Sequence, residues 1–300
     1  AIALSLNKPV IIGRNPISWV ESGSGGVIVS CQDMSTNGIQ LNGVKIQQST
    51  VLLMHGDLLE ITPSKVFQCL HLWKAKDKTN VFEATPPTQP LIGKFQVSSH
   101  CLGSGSFATV HLAMDISENK QYACKSVRVT KATNIVKVKH ETRILLALNH
   151  PNINQVVAVE EDGHFLHIFL QLCTGGDLFT YMVSQRNRDG NGSLPEGEAK
   201  YIMYQLLTGL KYLHDKMISH RALPQPENIL LYAPGSYPRI QIADFGLARP
   251  KAYQETLNVC GTVPYLPPEG ILALEHKDRG YVGMPADCWS AGIVLYIMLS

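Results

Sequence analysis

The chain has 300 residues, a net charge of +2, 45% hydrophobic residues and 17% charged residues. This length suggests about two domains, and the composition is typical of a globular protein with a buried core. The near-neutral charge gives no electrostatic reason to expect binding to nucleic acid or to a membrane surface. The seven cysteines form no C-x-x-C pair, which argues against a zinc site and a disulfide framework and favours an intracellular location.

No apolar run is long enough for a membrane span, and no signal peptide is recognisable. Residues 1–75 contain short apolar or alternating runs that are separated by Gly, Asn and Asp. This pattern predicts an all-β sandwich, with tight turns at the Asn-Gly pairs 37–38 and 42–43. From the pattern alone, a sandwich without a binding site is as good an interpretation as one with a site. Ala1 already lies in an apolar run, so we expect the natural chain to begin earlier.

Three motifs in this region carry a more specific signal: Gly13-Arg14, Ser35-Thr36-Asn37-Gly38 and His55-Gly56-Asp57. In that order they resemble the forkhead-associated family, a β-sandwich whose loops bind phosphothreonine. The resemblance implies phosphopeptide contacts from Arg14, Thr36 and Asn37. The chemistry is suitable, because an Arg fork fits a phosphate and an Asn amide can hold a peptide backbone. The family's Ser-x-x-His loop is absent, since the segment 16–26 is too short for it.

Residues 76–94 have the composition of a linker, with charged turns, a Pro-Pro pair and few core residues. From residue 95 the pattern changes to strands with a Gly-rich turn, Gly103-Ser104-Gly105, whose glycines would let a phosphate approach the backbone. Alone, such a turn is more often a plain hairpin. Lys125 follows in a β-run and Glu141 in a helical pattern, and each alone would be an ordinary surface residue. The glycine-rich turn, Lys125, Glu141, Asn228 and Asp244-Phe245-Gly246 follow one another in this order. Five such features in one order form a highly specific sequence pattern.

Residues 95–300 resemble the eukaryotic protein kinases, whose α+β fold is bilobal. The resemblance implies an N-lobe at 95–170, a hinge at 171–174 and a partial C-lobe at 175–300. It also implies that Lys125 holds the α- and β-phosphates of ATP and is oriented by Glu141, while Asn228 and Asp244 hold Mg²⁺. The implied cofactor-binding residues are Leu102, Gly103, Ser104, Gly105, Val110, Ala123, Lys125, Gln171, Cys173 and Asp177, with Leu170 as the gatekeeper.

The catalytic loop departs from the family pattern H-R-D-x-K-x-x-N. His220 and Arg221 are present, but Ala222 stands at the position of the catalytic Asp, and Asn228 lies one residue further along than in the family. Pro224 and Pro226 also restrict the backbone of this loop. The resemblance implies that Arg221 would receive a phosphate from the activation segment, in which the family pattern points to Thr256, Thr262 and Glu269.

Three local predictions concern the C-lobe. The polar segment Ser184 to Gly192 has the composition of a loop. Ser193 to Glu196 has the S-x-x-E form of a capping box, and it precedes a helix that keeps Ile202, Leu206, Leu210 and Leu213 on one face. The run from Asp287 to Ser300 is apolar all round and predicts a helix that needs cover on every side. The kinase helices that would cover it do not follow in this sequence, so we expect a large exposed apolar patch there.

The combination of both families resembles the fungal checkpoint kinases of the DNA-damage response. It implies a nuclear serine/threonine kinase that uses ATP and Mg²⁺, acts on Ser/Thr residues of proteins and is recruited by phosphothreonine-containing proteins. A homodimer is a further expectation, because this family often dimerises through its phosphothreonine-binding domains. Neither nucleic acid nor a membrane is expected as a direct partner.

Three interpretations remain open at this point. The first is an active kinase family member whose sequence is altered by misplaced splice boundaries, which would explain the departures at 15–26, at 222–226 and at residue 300. The second is a pseudokinase that binds ATP and serves as a phosphothreonine-reading scaffold. The third is a generic β-domain joined to a decayed kinase without function.

Overall fold

The computed structural model describes residues 10–12, 15–21, 27–54, 56–62, 65–69, 90–104, 108–129, 142, 145–163, 165–189, 193–220, 225–244, 249–250, 255–256, 265–276 and 280–300. The chain divides into two compact units, residues 1–138 with 156–174 and residues 139–155 with 175–300. Within the described residues, the first unit is built from strands, and the second contains four α-helices and several short strands.

The first unit begins with two four-stranded antiparallel sheets, which have the strand orders β1-β2-β3-β6 and β5-β4-β7-β8. Apolar side chains from both sheets form one core, which includes Val29, Leu41, Val51 and Leu59. The prediction of a β-rich N-terminal region is therefore confirmed. The strands are β1 (Val10–Ile12), β2 (Asn15–Glu21), β3 (Val27–Gln32), β4 (Ile39–Leu41), β5 (Val44–Ile46), β6 (Thr50–Leu53), β7 (Leu58–Thr62) and β8 (Lys65–Gln68).

The sequence predicted a turn correctly at one place in this region, and at another place a strand forms where a loop was predicted. The Asn42-Gly43 pair joins β4 to β5 with positive φ at both residues, 52° and 81°, as expected for a two-residue hairpin turn. By contrast, the short segment after Gly13-Arg14 is mostly a strand, because β2 pairs with β3 from Ile17 opposite Cys31 to Glu21 opposite Val27. The sequence had indicated a shortened loop there. Cross-strand pairing decided the conformation.

A six-stranded antiparallel sheet with the order β13-β14-β12-β11-β10-β9 completes the first unit. Its core stacks the ring of Phe95 on that of Phe169, with centroids 3.9 Å apart. The strands are β9 (Leu91–Ile92), β10 (Phe95–Ser104), β11 (Ala108–Asp115), β12 (Lys120–Arg128), β13 (Val156–Glu161) and β14 (Phe165–Gln171). Because Leu91–Ile92 pairs with Phe95–Gln96, the sheet begins inside the segment predicted to be linker.

The longest described helix of the second unit, Glu196–Asp215, contributes several buried side chains to its core. The α-helices are α1 (Leu178–Asp189), α2 (Glu196–Asp215), α3 (Pro268–Glu275) and α4 (Gly283–Leu299), and a 3₁₀ turn spans Pro226–Asn228. The strands are β15 (Ile218–Ser219), β16 (Ile229–Leu231), β17 (Ile240–Ile242), β18 (Arg249–Pro250), β19 (Glu255–Thr256) and β20 (Tyr281–Val282). The predicted apolar face of α2 is confirmed, since Ile202, Leu206, Leu210 and Leu213 are all buried in the core.

Two local predictions for this unit are wrong. Helix α1 continues to Asp189, although its last two turns are polar and had indicated a loop. Polar residues suit the exposed face of a helix as well as a loop, so composition alone could not separate the two. The capping box at Ser193 does not form, because α2 begins at Glu196 with Pro195 in the N-cap position and no side-chain cap. The fixed φ of Pro195 suits this entry into the helix.

Helix α4 has one buried and one exposed face. Ala291, Val294 and Met298 lie in the core, whereas Trp289 and Tyr296 on the other side are 45% and 70% exposed. Aromatic side chains are therefore exposed along this helix, and the large apolar patch stays a prediction. Among the described residues, no helix combines the length and the apolar character that crossing a membrane requires.

Candidate active site

Lys125 lies in the middle of the six-stranded sheet. It pairs with Val110 on β11 and with Ile168 on β14, and its side chain is half-buried. Directly paired residues project from the same face of an antiparallel sheet. Lys125 is therefore on the face that also carries Val110, beside the end of the hairpin where Gly103 pairs with Val110. Lys125 and Gly103 therefore lie opposite the same residue, Val110, on neighbouring strands.

The predicted adenine wall is continuous with this face. Ala123 lies two residues before Lys125 on β12, and it pairs with Leu112 on one side and with Leu170 on the other. Strand residues two apart share a face, so Ala123 and Lys125 project in the same direction. Leu102 and Ala123 both pack against the buried cluster that contains Leu112. The predicted hinge then follows directly, since Gln171 is the last residue of β14.

The second unit presents Asn228 and Asp244 at one end of a short hairpin. Strand β16 pairs with β17 through Ile229 opposite Ile242, and the backbone N–H of Ala243 donates to the Asn228 carbonyl at 2.9 Å. Asn228 precedes β16 and Asp244 lies two residues after β17, so the hairpin places both residues at the same end. Asp244 has φ 62° and is exposed, in the left-handed region that Asp tolerates better than most residues.

This pair has the chemistry of a magnesium site. Amide and carboxylate oxygens are hard ligands, and Mg²⁺ in kinases takes few protein ligands and completes its shell with phosphate oxygens and water. Within the described residues, no group of three or more His, Cys, Asp or Glu side chains is arranged to hold a metal ion. Two oxygen ligands of this kind are what a nucleotide-linked Mg²⁺ would use, and a magnesium site at this hairpin stays a prediction.

His220 is fully buried and held through both its backbone and its ring. Its backbone N–H donates to Asp287 Oδ2 at 2.8 Å, and its Nε2–H donates to the Ala243 carbonyl at 2.9 Å. The second bond ties the start of the catalytic loop to the residue that precedes Asp244. His220 therefore helps to position the end of the hairpin that carries Asn228 and Asp244.

Asp287 has a structural role that the sequence interpretation did not predict. This completely buried carboxylate also lies 2.9 Å from the Nε2 atom of His214. A carboxylate in the otherwise apolar α4 was the available signal, because buried charges are rare unless they are paired.

Asp177, predicted to contact the cofactor, has another role in the structure. Its two carboxylate oxygens accept hydrogen bonds from the backbone N–H and the side-chain hydroxyl of Thr180, at 2.8 and 2.9 Å. This is the arrangement of a helix N-cap at the start of α1. Its contact with a nucleotide stays a prediction, as does that of Cys173, which is half-buried just after β14.

The activation-segment residues are only partly described. Thr256 lies in β19 and pairs with Tyr281 of β20, and Glu269 is exposed in the first turn of α3. Several predicted site residues lie outside the described residues: Arg14, Gly105, Glu141, Arg221, Ala222 and Thr262.

The side chain of Asp33 stabilises the candidate phosphopeptide loop between β3 and β4 through hydrogen bonds. Its carboxylate accepts hydrogen bonds from the hydroxyl of Ser35 at 2.7 Å and from the backbone N–H of Gln48 at 2.9 Å. The Ser35 hydroxyl oxygen in turn accepts from the Gly38 N–H at 2.9 Å. Thr36 and Asn37 are exposed at the tip of this loop. The loop is therefore fixed by hydrogen bonds to the side chains of Asp33 and Ser35, while its two predicted ligand residues are exposed.

A glycine-turn sheet that bears Lys125, together with a helical unit that bears Asn228 and Asp244, is the architecture of a protein kinase. A family profile described as "Protein kinase domain" matches residues 96–300. The chain belongs to this family, as the motifs predicted.

Curated relatives agree with this assignment. The chain is 35% identical over 283 residues to "Meiosis-specific serine/threonine-protein kinase mek1" of Schizosaccharomyces pombe, and the alignment covers 91% of this chain and 60% of that protein. It is 35% identical over 287 residues to "Probable serine/threonine-protein kinase fhkE" of Dictyostelium discoideum, covering 92% and 38%. It is 28% identical over 309 residues to "Serine/threonine-protein kinase RAD53" of Saccharomyces cerevisiae, covering 89% and 37%. The prediction of a serine/threonine kinase by family is confirmed, while the chain spans less than two thirds of the length of each of these relatives.

Proposed function

We propose that this chain is the recruitment and catalytic part of a checkpoint-type serine/threonine kinase. It would transfer the γ-phosphate of ATP to Ser or Thr hydroxyl groups of protein substrates, and it would be recruited through phosphothreonine binding by a forkhead-associated-like N-terminal domain. The observation that carries the proposal is the position of Lys125, which shares one sheet face with Val110 and Ala123 beside the glycine turn.

Each residue has a distinct task in this proposal. Lys125 would neutralise the α- and β-phosphates, and the wall at Leu102 and Ala123 would hold the adenine ring. Asn228 and Asp244 would hold Mg²⁺, which when bound supplies neutralisation of the charge on the transferring phosphoryl group. Catalysis of this kind depends mainly on positioning and electrostatics, and the hairpin and the sheet provide both kinds of support.

The nuclear location, the phosphothreonine-containing partners and the homodimer also belong to this proposal. They rest on the resemblance to checkpoint kinases, and the exposure of Thr36 and Asn37 on a fixed loop supports phosphothreonine recognition. The proposed domain organisation is a phosphothreonine-binding domain at 1–75, a linker and a kinase domain at 95–300.

An ATP-binding scaffold without kinase activity is the second candidate, and Ala222 favours it. This residue stands where the family places the Asp that orients the acceptor hydroxyl and takes its proton. Loss of such a base costs roughly 10²–10⁴ in rate, or about 3–5 kcal/mol of transition-state stabilisation. Nucleotide binding does not require the base, so Lys125 and Asp244 could still hold ATP and Mg²⁺.

A radiolabelled ATP assay with a basic Ser/Thr peptide separates these two functions. We expect turnover clearly above that of Asp244→Ala, which removes a magnesium ligand, and we expect Asp215→Ala to behave like the unchanged chain because Asp215 is exposed on α2. Turnover equal to that of Asp244→Ala, with nucleotide binding retained, would leave the scaffold as the function.

Recruitment is tested separately by titrating the chain with a phosphothreonine peptide. We expect Arg14→Ala to weaken binding by at least tenfold, because an Arg–phosphate pair is a strong charge-assisted contact. Arg128→Ala serves as the matched control, since this Arg is exposed at the end of β12. If the unchanged chain, Arg14→Ala and Arg128→Ala bind the peptide equally well, phosphothreonine recognition is removed from the proposal.

A further inference from the structure

Strand β6 of the N-terminal sandwich is buried on both of its faces. Val51 and Leu53 project into the core of the sandwich. Leu52 projects from the opposite face, as alternate residues of a strand do, yet it is only 1% exposed. Its neighbours there are Leu112 and Leu172. Both belong to the kinase part of the first unit, so the sandwich is docked on the kinase N-lobe through this strand.

A pair of hydrogen bonds fixes the register of this docking. The Leu52 N–H donates to Gln121 Oε1 at 2.7 Å, and Gln121 Nε2 donates to the Leu52 carbonyl at 3.2 Å. Among the described strands, β6 is an edge strand, whose outward backbone groups need partners when they are buried. The Gln121 amide supplies both partners, much as one residue of an additional strand would.

The contact reaches the residues that would bind the nucleotide. Gln121, Ala123 and Lys125 are alternate residues of β12 and share one face. Ala123, the predicted adenine-wall residue, thus lies between Gln121, which contacts Leu52, and Lys125, which would bind the phosphates. Ala123 itself packs against the cluster formed by Leu52.

The same cluster includes the hinge. Leu172, between Gln171 and Cys173, is buried against Leu52 and Leu112, and Met54 and Leu102 pack against this group. The hinge supplies its backbone groups to the adenine base in the kinase family. A side chain of the sandwich therefore fixes the position of a segment whose backbone would bind the base.

We propose that the docked N-terminal domain holds the hinge and the adenine wall in their binding geometry, so that nucleotide affinity depends on the Leu52–Gln121 contact. This proposal rests on the nucleotide site of the proposed function. Leu52 and Gln121 act as positioning residues, because neither would touch the nucleotide. A preorganised wall binds more tightly, since less ordering is required when the ligand arrives.

The test compares Mg·ATP affinity among variants of the 300-residue chain by direct titration. Leu52→Asp places a charge in the docking contact and leaves the sandwich core untouched, and Gln121→Leu keeps the volume but removes both hydrogen bonds. We expect each to weaken Mg·ATP binding by about five- to tenfold, the range of a typical coupling between sites. We expect the double variant to be no weaker than the weaker single variant, because both changes break the same contact.

Matched controls distinguish docking from general damage. Leu58→Asp changes an apolar residue of the same domain that is 48% exposed, and Gln68→Leu changes an exposed glutamine. Both are expected to keep the affinity of the unchanged chain. Hydrogen exchange of the 171–174 backbone gives a second readout, which should accelerate in the docking variants and not in the controls. If Leu52→Asp loses its fold by circular dichroism, Gln121→Leu decides the question.

Lys125→Met separates failure of this inference from failure of the proposed function. If Lys125→Met abolishes binding while Gln121→Leu and a folded Leu52→Asp bind Mg·ATP as tightly as the unchanged chain, the docking inference is overturned and the nucleotide site stands. If Lys125→Met binds as tightly as the unchanged chain, the nucleotide site itself is wrong and the inference falls with it.

Discussion

At the scale of single residues, the Lys94–Asp115 pair is the clearest electrostatic feature. Lys94 Nζ lies 2.6 Å from Asp115 Oδ2, and the carboxylate is buried while the ammonium group is half-exposed. Burial alone would raise the pKa of Asp115, but hydrogen bonds from Lys94 and Ser117 outweigh it and lower that pKa from 3.8 to about 2. The folded state therefore favours the ionised carboxylate.

This lowered pKa predicts a pH-dependent contribution to stability. Because the folded pKa lies below the unfolded one, the contribution is fully present above about pH 5 and is lost as the pH falls towards 2. We expect Asp115→Asn to reduce the free energy of unfolding at pH 7 by about 1–2 kcal/mol, after allowing for screening at the exposed Lys94.

Urea unfolding of both proteins between pH 7 and pH 3 checks this prediction. The difference between them should narrow as the pH falls through 4. Glu196→Gln is the control, because its pair with Lys200 is exposed at both ends and should contribute much less than the buried Asp115. A difference that stays constant across this range would contradict the electrostatic explanation.

At the scale of elements, Asp287 joins three parts of the second unit. From α4 it accepts hydrogen bonds from His214 of α2 and from the backbone N–H of His220, which begins the catalytic loop. A buried donor that loses its acceptor costs about 1–3 kcal/mol, and the cost is larger when the acceptor is charged. One buried carboxylate therefore links α2, α4 and the backbone at His220.

We expect Asp287→Ala to lower the free energy of unfolding by about 2–4 kcal/mol, because it leaves two donors without this acceptor. Thermal or urea unfolding measures this directly. The matched control is Asp215→Ala, whose carboxylate pairs only with Lys211 on the exposed side of α2 and should matter little. Equal stability of both variants would show that the carboxylate does not hold these elements together.

At the scale of the whole molecule, the candidate phosphopeptide loop and the docked strand are connected. The Asp33 N–H, at the base of the loop, donates to the Ser49 carbonyl immediately before β6 at 2.9 Å. A ligand that shifts this loop would also act on the strand that packs against the hinge. The two candidate ligands, a phosphothreonine peptide and ATP, should therefore influence each other.

We expect a saturating phosphothreonine peptide to tighten Mg·ATP binding by about fivefold or more, and saturating ATP to tighten peptide binding by the same factor, because linkage is reciprocal. Titrations of each ligand with and without the other measure both factors. In Gln121→Leu both factors should approach one. A factor of one in the unchanged chain would show that the loop and the nucleotide site are independent.

The sequence alone was sufficient for the features that depend on local chemistry and order. The Asn42-Gly43 turn, the apolar face of α2 and the kinase motifs from the glycine turn to Asp244 all follow from residue type and spacing. Positive φ, helical periodicity and phosphate chemistry impose such patterns directly. These features sufficed to predict the β-rich N-terminal region and the kinase family.

Tertiary contacts decided the rest, because cross-strand and cross-domain partners leave little trace in local sequence. The segment Asn15–Glu21 became a strand through pairing with β3. Gln121 looks like an ordinary strand residue in the sequence. Only the fold places its amide against Leu52 of another domain, where burial makes both hydrogen bonds necessary.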